Sequence, residues 1–199
     1  MTAQNNEKGS TMIETIMYIA LLIVLGTTLA KGAANVFNRY KIGRLAQQII
    51  DLKRAILAHT AIYEDYSKLS MEDMQKTNAL PLDLKGLRHA LSGKIEFGPA
   101  TDIATTEDTN NKYMFYVRFH SIGQEACVEL LTQGQFFTDG SEMDSLQVNN
   151  NYCWKYPYSL FHFEGCGYST TLSKQHLQIS DGLRGCTHKT SNTITWIFS

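Results

Sequence analysis

Near the start of the chain, Lys8-Gly9-Ser10-Thr11-Met12-Ile13-Glu14 sets a carboxylate directly against an apolar run. The sixteen residues from Thr15 to Ala30 carry no formal charge, and Lys31 closes the run. As a helix, residues 11–30 span about 30 Å, one hydrocarbon core. A carboxylate within such a stretch costs roughly 2.5–3.5 kcal/mol at mid-membrane, so something must compensate Glu14. No other residues offer a stronger case for chemistry. Serines, histidines and aspartates are present, but none sits in a nucleophile elbow, and no phosphate-cradling glycine loop occurs. The six histidines are scattered; the best metal-like grouping, Cys153, His162 and Cys166, lacks a C-x-x-C pair. The acidic stretch Asp139-Gly140-Ser141-Glu142-Met143-Asp144 has the composition of a calcium loop, but reads first as a solvated turn. The expectation is a protein that is not an enzyme and needs no cofactor or metal.

Two ordinary readings fit the apolar run by itself. One is a transmembrane anchor; the other is a cleaved secretory signal, with Thr28-Leu29-Ala30 as a poor small-residue site. Both leave Glu14 unexplained. Both also expect positive charge ahead of the run, where residues 1–9 offer only Lys8, offset by Glu7.

The order glycine, four residues, glutamate, long apolar run resembles the processing site of the type IV prepilins. That resemblance implies cleavage after Gly9 by a prepilin peptidase and methylation of the new terminal amine on Ser10. It further implies that Glu14 pairs with the terminal amine of a neighbouring subunit, which at a pKa of about 8 is cationic at neutral pH. In a dry helix bundle such a pair attracts strongly, although desolvation offsets much of the gain. The sequence departs from the commonest subclass in having Ser10 rather than phenylalanine at the new terminus, and in lacking a later helix proline.

The elements that must position these residues follow from periodicity. Ile42, Leu45, Ile49, Leu52, Ile56, His59 and Tyr63 recur at helical spacing, with Arg44, Gln47, Gln48, Asp51 and Arg54 opposite. No proline precedes Pro81, so one helix over 11–63, on the order of 80 Å long, is predicted. Residues 67–91 read as one or two short helices broken at Pro81, 94–97 as a short strand and 98–111 as a polar loop. The strand at 113–119 is rich in aromatics and valine; Ser121 is the expected cap of a helix carrying Cys127. Further strands are expected at 145–149, 158–163 and 176–179, and a strong closing one at 192–198.

At 199 residues, the chain suffices for an anchor plus one compact domain. A formal net charge of −1 and the absence of lysine or arginine runs give no footprint for nucleic acid. All four cysteines lie beyond residue 120, which suits an oxidising compartment. Four cysteines allow three pairings, and spacing does not choose among them. A cysteine-bearing helix, a late Cys186 and an Asn-Thr-Ile-Thr closing strand resemble the C-terminal half of the type IVb pilins. In that family the corresponding pair, here Cys127 and Cys186, is bridged, which leaves Cys153 and Cys166 for a second bridge.

The fold expected from these resemblances is α+β: a long N-terminal helix packed on a head with an antiparallel sheet. The expected division is a leader at 1–9, a membrane and polymerisation segment at 10–34, an amphipathic half-helix at 35–63 and a head at 64–199. The implied function is a pilus subunit, first in the bacterial inner membrane and then in a cell-surface fibre serving adhesion, aggregation, motility or DNA transfer. Its implied partners are other copies of itself, the prepilin peptidase, the inner-membrane assembly machinery and, before assembly, the membrane. A minor pilin or secretion pseudopilin shares all of these features; a membrane-anchored monomeric binding domain is the alternative from another class.

Overall fold

The computed structural model describes residues 6–103, 112–132, 143–149, 152–155 and 179–199. The expected strand at 158–163, residues 176–178, most of the acidic stretch (139–142), loop residues 104–111 and Cys166 lie outside this set. The chain divides between Lys41 and Ile42 into two compact units.

The first unit contains the start of helix α1 (Asn6–Thr60). Its apolar stretch is exposed on every side: Ile16 to Ile19 and Leu21 to Leu25, which cover the whole circumference, are each between 49% and 68% accessible. Two threonine hydroxyls near the end of the stretch are satisfied by the helix itself. Thr27 donates to the Val24 carbonyl at 2.9 Å and Thr28 to the Leu25 carbonyl at 2.9 Å. Such back-bonding lets a hydroxyl sit in an apolar medium without an orphan donor.

In the second unit the remainder of α1 turns one face inward. Ile42, Leu45, Ile49, Leu52 and Ile56 are buried, as their spacing predicts, together with Ala46, and each large one contributes roughly 1.5–3 kcal/mol. The predicted stripe ends early, however. His59 is half-buried and Tyr63 lies beyond the helix, because the buried place in the last turn goes to Thr60, whose hydroxyl donates to the Ile56 carbonyl at 2.7 Å. Gln48, expected on the solvent face, is 4% exposed. Its amide donates to Asp83 at 2.9 Å and accepts the Ala90 N–H at 2.8 Å, tying α1 to the segment that follows it. That segment holds α2 (Met71–Lys76) and a 3₁₀ turn at Leu82–Leu84, separated at Pro81 as predicted.

Among the described residues five antiparallel strands form one sheet: β1 (Ile95–Pro99), β2 (Phe115–Ile122), β3 (Met143–Val148), β4 (Tyr152–Lys155) and β5 (Asn192–Phe198), in the order β1-β2-β5-β3-β4. Alternation sends Phe115, Val117 and Phe119 of β2, and Ile194, Trp196 and Phe198 of β5, into the core with α1. Register aligns Val117 with Trp196 and Phe119 with Ile194.

Several local expectations fail for identifiable reasons. Gly98 and Pro99 belong to β1 rather than to a loop; β1 is an edge strand, where a proline is tolerated. Ser121 does not cap a helix. It occupies a left-handed conformation (φ 58°) in a bulge where three β2 steps oppose two of β5, and that bulge returns Ile122 to the core face. The helix with Cys127, α3 (Gln124–Thr132), starts after Gly123. Ile179 opens a short helix, α4 (Ile179–Gly185), rather than ending a strand, because Gly182 lets this segment pack tightly on α3. A Cβ at Gly182 would stand 3.1 Å from a Val128 methyl. The residue pattern does not predict β4, whose Tyr152 pairs with Val148 of β3.

His89 is a buried titratable group that locks β1 and β2 to the segment before them. Its Nε2–H donates to the His120 carbonyl at 2.7 Å, its Nδ1 accepts the Leu91 N–H at 3.2 Å, and its ring stacks on Phe119 at 5.2 Å. Gly93 closes the same corner, where any Cβ would overlap the His120 carbonyl and the His89 ring. This geometry needs the neutral ring, and burial holds the His89 pKa below its ordinary 6.5. A depressed histidine contributes stability above pH 6.5 that is lost as pH falls through the folded value. Unfolding of the full chain in detergent should therefore become easier between pH 7 and pH 5. His89→Phe keeps the stacking but leaves two backbone groups unpaired, for a loss of about 1–3 kcal/mol at pH 7. Urea denaturation should also show a shallower pH dependence for this variant over that interval; an unchanged slope would remove His89 from the account.

Candidate functional site

Gly9, Ser10 and Glu14 all lie in α1, which begins at Asn6 rather than near Thr11 as expected. No proline interrupts this helix. Ser10 and Glu14 stand one turn apart on one side of the helix, about 6 Å along the axis. The Glu14 side chain is exposed and has no hydrogen bond or ion pair among the described residues. Glu14 falls within Met12–Leu29, a stretch long and apolar enough to cross a membrane, none of which is buried. A carboxylate with no partner among the described residues thus sits in an all-round apolar segment, an arrangement suited to binding a cation in a medium that excludes water.

The second feature lies in the C-terminal part of the second unit. Cys127 on α3 is bonded to Cys186, just after α4, with Cα atoms 5.9 Å apart. Around this bridge the chain between Cys186 and β5 is held by side-chain amides. Gln124 donates to the Cys186 carbonyl at 2.8 Å. Asn192, fully buried, donates to the carbonyls of Ile122 (3.0 Å) and His188, and accepts from the His188 N–H and the Asn149 amide, both at 3.0 Å. Asn149 in turn donates to the Gly185 carbonyl at 3.0 Å and accepts the Thr193 N–H at 2.9 Å. Asn192 uses its full hydrogen-bonding capacity and Asn149 makes three bonds, which fixes the approach to the last strand. Cys153 lies in β4, with its backbone opposite Gln147; a bridge from it to Cys166 falls outside the described residues. Among the described residues no cluster of metal-ligating side chains occurs.

An ion cluster completes the picture on the sheet face opposite the core. Glu96 lies 2.7 Å from Lys94, 3.0 Å from His120 and 3.8 Å from Arg118. The hydrogen bond from Lys94, aided by His120, holds the Glu96 carboxyl below its ordinary range against the opposing effect of burial.

An N-terminal helix with an unburied apolar stretch, a five-stranded antiparallel sheet with the last strand inside it, and a bridge from α3 to the approach of that strand together define the architecture. The structure is similar to that of TcpA, a type IV pilin from Vibrio cholerae El Tor biotype, with a TM-score of 0.51 and 10% identity over 80% of this chain and 99% of that one. The chain has the type IV pilin fold. A type IVb pilin from Salmonella typhi aligns with a TM-score of 0.49 and 14% identity, over 77% of this chain and 97% of that one. No family model matches the sequence, and neither does any curated protein.

Within this pilin fold, the sequence pattern singled out Glu14, Cys127 and Cys186 but not the amide network. Asn149, Asn192 and Gln124 carried one usable signal: asparagines flank two strong strands, where their side chains cap backbone in turns. The bridge closes a separation of 59 residues. Cys127→Ser or Cys186→Ser should lower stability by about 4 kcal/mol through the freedom returned to the unfolded chain. Cys153→Ser/Cys166→Ser should cost less, since the α3–α4 staple and the amide network remain. Chemical denaturation of each variant compares them; a Cys127→Ser chain as stable as the unmodified one would contradict this ranking.

Proposed function

We propose that the protein is a structural pilin, cleaved after Gly9 by a prepilin peptidase, methylated on Ser10 and polymerised through α1 into a fibre on the cell surface. The observation that carries this reading is Glu14, without a partner among the described residues, at the head of an apolar segment exposed on all sides. A lone transmembrane anchor has no use for that carboxylate, whereas a helix drawn from lipid into a bundle of its own copies gains one cation per subunit there, the amine of Ser10 in a neighbour. The pilin fold and the α3–α4 staple agree with this reading, and the second pair, Cys153 and Cys166, bridges a further loop of the head.

In this scheme residues 1–9 are the leader and 10–34 occupy the inner membrane and then the fibre core. Residues 35–63 carry the head, 64–199, which meets the surroundings. The fibre serves adhesion, aggregation, motility or DNA transfer, and the inner-membrane assembly machinery completes the set of partners.

Glu14→Ala removes a charge that the bilayer disfavours, so membrane insertion should be unchanged or improved. Fibre yield should fall by at least tenfold at equal subunit level, measured by shearing fibres from cells and comparing them with the cell-associated pool. Normal fibre yield from Glu14→Ala would sink the assembly role of this residue.

A further inference from the structure

The outer face of the head contains an open cleft of about 290 Å³ between β2 and the chain leading into β5, lined by Arg118, His120, Asn149, His188, Ser191 and Thr193. Every one of these residues is polar. Some of their hydrogen-bonding groups are occupied within the fold. The Asn149 amide donates to Gly185 and Asn192 and accepts from Thr193, and the Thr193 hydroxyl lies 3.3 Å from His120 Nδ1. Others are not. Arg118 uses its Nε–H on Thr195 at 3.0 Å, approaches Glu96 through Nη1 only at 3.8 Å and lies over the Tyr116 ring, which leaves its Nη2 without a hydrogen bond among the described residues. The His188 ring and the Ser191 hydroxyl are exposed and have no partner among the described residues. His120 Nε2 lies 3.0 Å from Glu96 without the alignment of a hydrogen bond.

The local charge favours an anion. Glu96, the carboxylate beside the cleft, is already engaged by Lys94 at 2.7 Å, and the Lys94, Arg118 and Glu96 charges sum to one positive before either histidine is counted. An arginine fork with a free edge matches the two oxygens of a carboxylate, and neighbouring hydroxyl and imidazole groups match sugar hydroxyls. The volume lies at the small end of ligand pockets, the size of a single sugar ring rather than of a peptide.

We propose that this cleft is a binding site for an acidic monosaccharide unit, with the carboxylate on Arg118 and the ring hydroxyls on His188 and Ser191. The site belongs to the head and does not depend on how, or whether, the chain polymerises.

The test is a titration of the full chain in non-ionic detergent with glucuronate, glucose or inorganic phosphate, followed by calorimetry and by the histidine ring signals in NMR. Saturable binding of glucuronate, at least tenfold tighter than glucose and with movement of the His188 signal, is expected. His188→Ala and Ser191→Ala touch no structural contact and should each weaken glucuronate at least threefold, while Arg118→Lys, which keeps the charge and loses the fork, should weaken it at least fivefold. Equal affinity for glucose, no saturation, or unchanged binding in His188→Ala and Ser191→Ala would overturn the site. Phosphate binding as tightly as glucuronate would overturn its assignment to a sugar.

Discussion

The apolar stretch of α1 has no surface within its own unit to bury against. Met12–Leu29 is wholly unburied, and burial of each large aliphatic side chain is worth roughly 1.5–3 kcal/mol. Water cannot be the resting environment of such a segment. Lipid covers it on all sides, but lipid disfavours Glu14; a bundle of like helices covers it equally well and can supply a cation. On the proposed reading, the difference between these two environments gives assembly its direction. The internally bonded Thr27 and Thr28 add nothing to the balance, since their hydroxyls are satisfied in either medium.

The second unit depends on a different constraint: its last strand lies inside its sheet. β5 is flanked by β2 on one side and β3 on the other, so neither half of the sheet joins the other until the final residues are in place. Contacts of this kind are distant in sequence and costly to close. The Cys127–Cys186 bridge shortens that search by holding the approach to β5 against α3, and Asn192 and Asn149 then set the register of its first residues through backbone partners on three segments. The same segment forms one wall of the polar cleft, so structural ordering of the approach to β5 also presents His188 and Ser191 at the surface.

Much of this was legible in the sequence where one physical signal dominated. The 3.6-residue periodicity gave the buried face of α1 through Ile56, and alternation with β-branched and aromatic residues gave β2 and β5. Legibility ended where tertiary contacts overrode local preference. Gln48 reads as a surface residue but is buried because Asp83 and the Ala90 N–H, far away in sequence, meet both ends of its amide. Ser121 has the identity of a helix cap, yet a bulge claims it so that Ile122 can reach the core. Ile179 carries a strand-forming side chain, but the close packing allowed by Gly182 draws its segment into a helix. Of the site, Glu14 stood out because a carboxylate conflicts with its apolar surroundings. His188 and Ser191 conflict with nothing, and only their placement around Arg118 marks them.

The central claim is that Glu14 belongs to a processed, polymerising helix rather than to a simple anchor. Mass spectrometry of the N-terminal peptide, taken from the protein in its own cells, tests it most directly. The account predicts a mature chain that begins at Ser10 with one methyl group on its α-amine. A mature chain that retains residues 1–9, or one cut after Ala30, would contradict it.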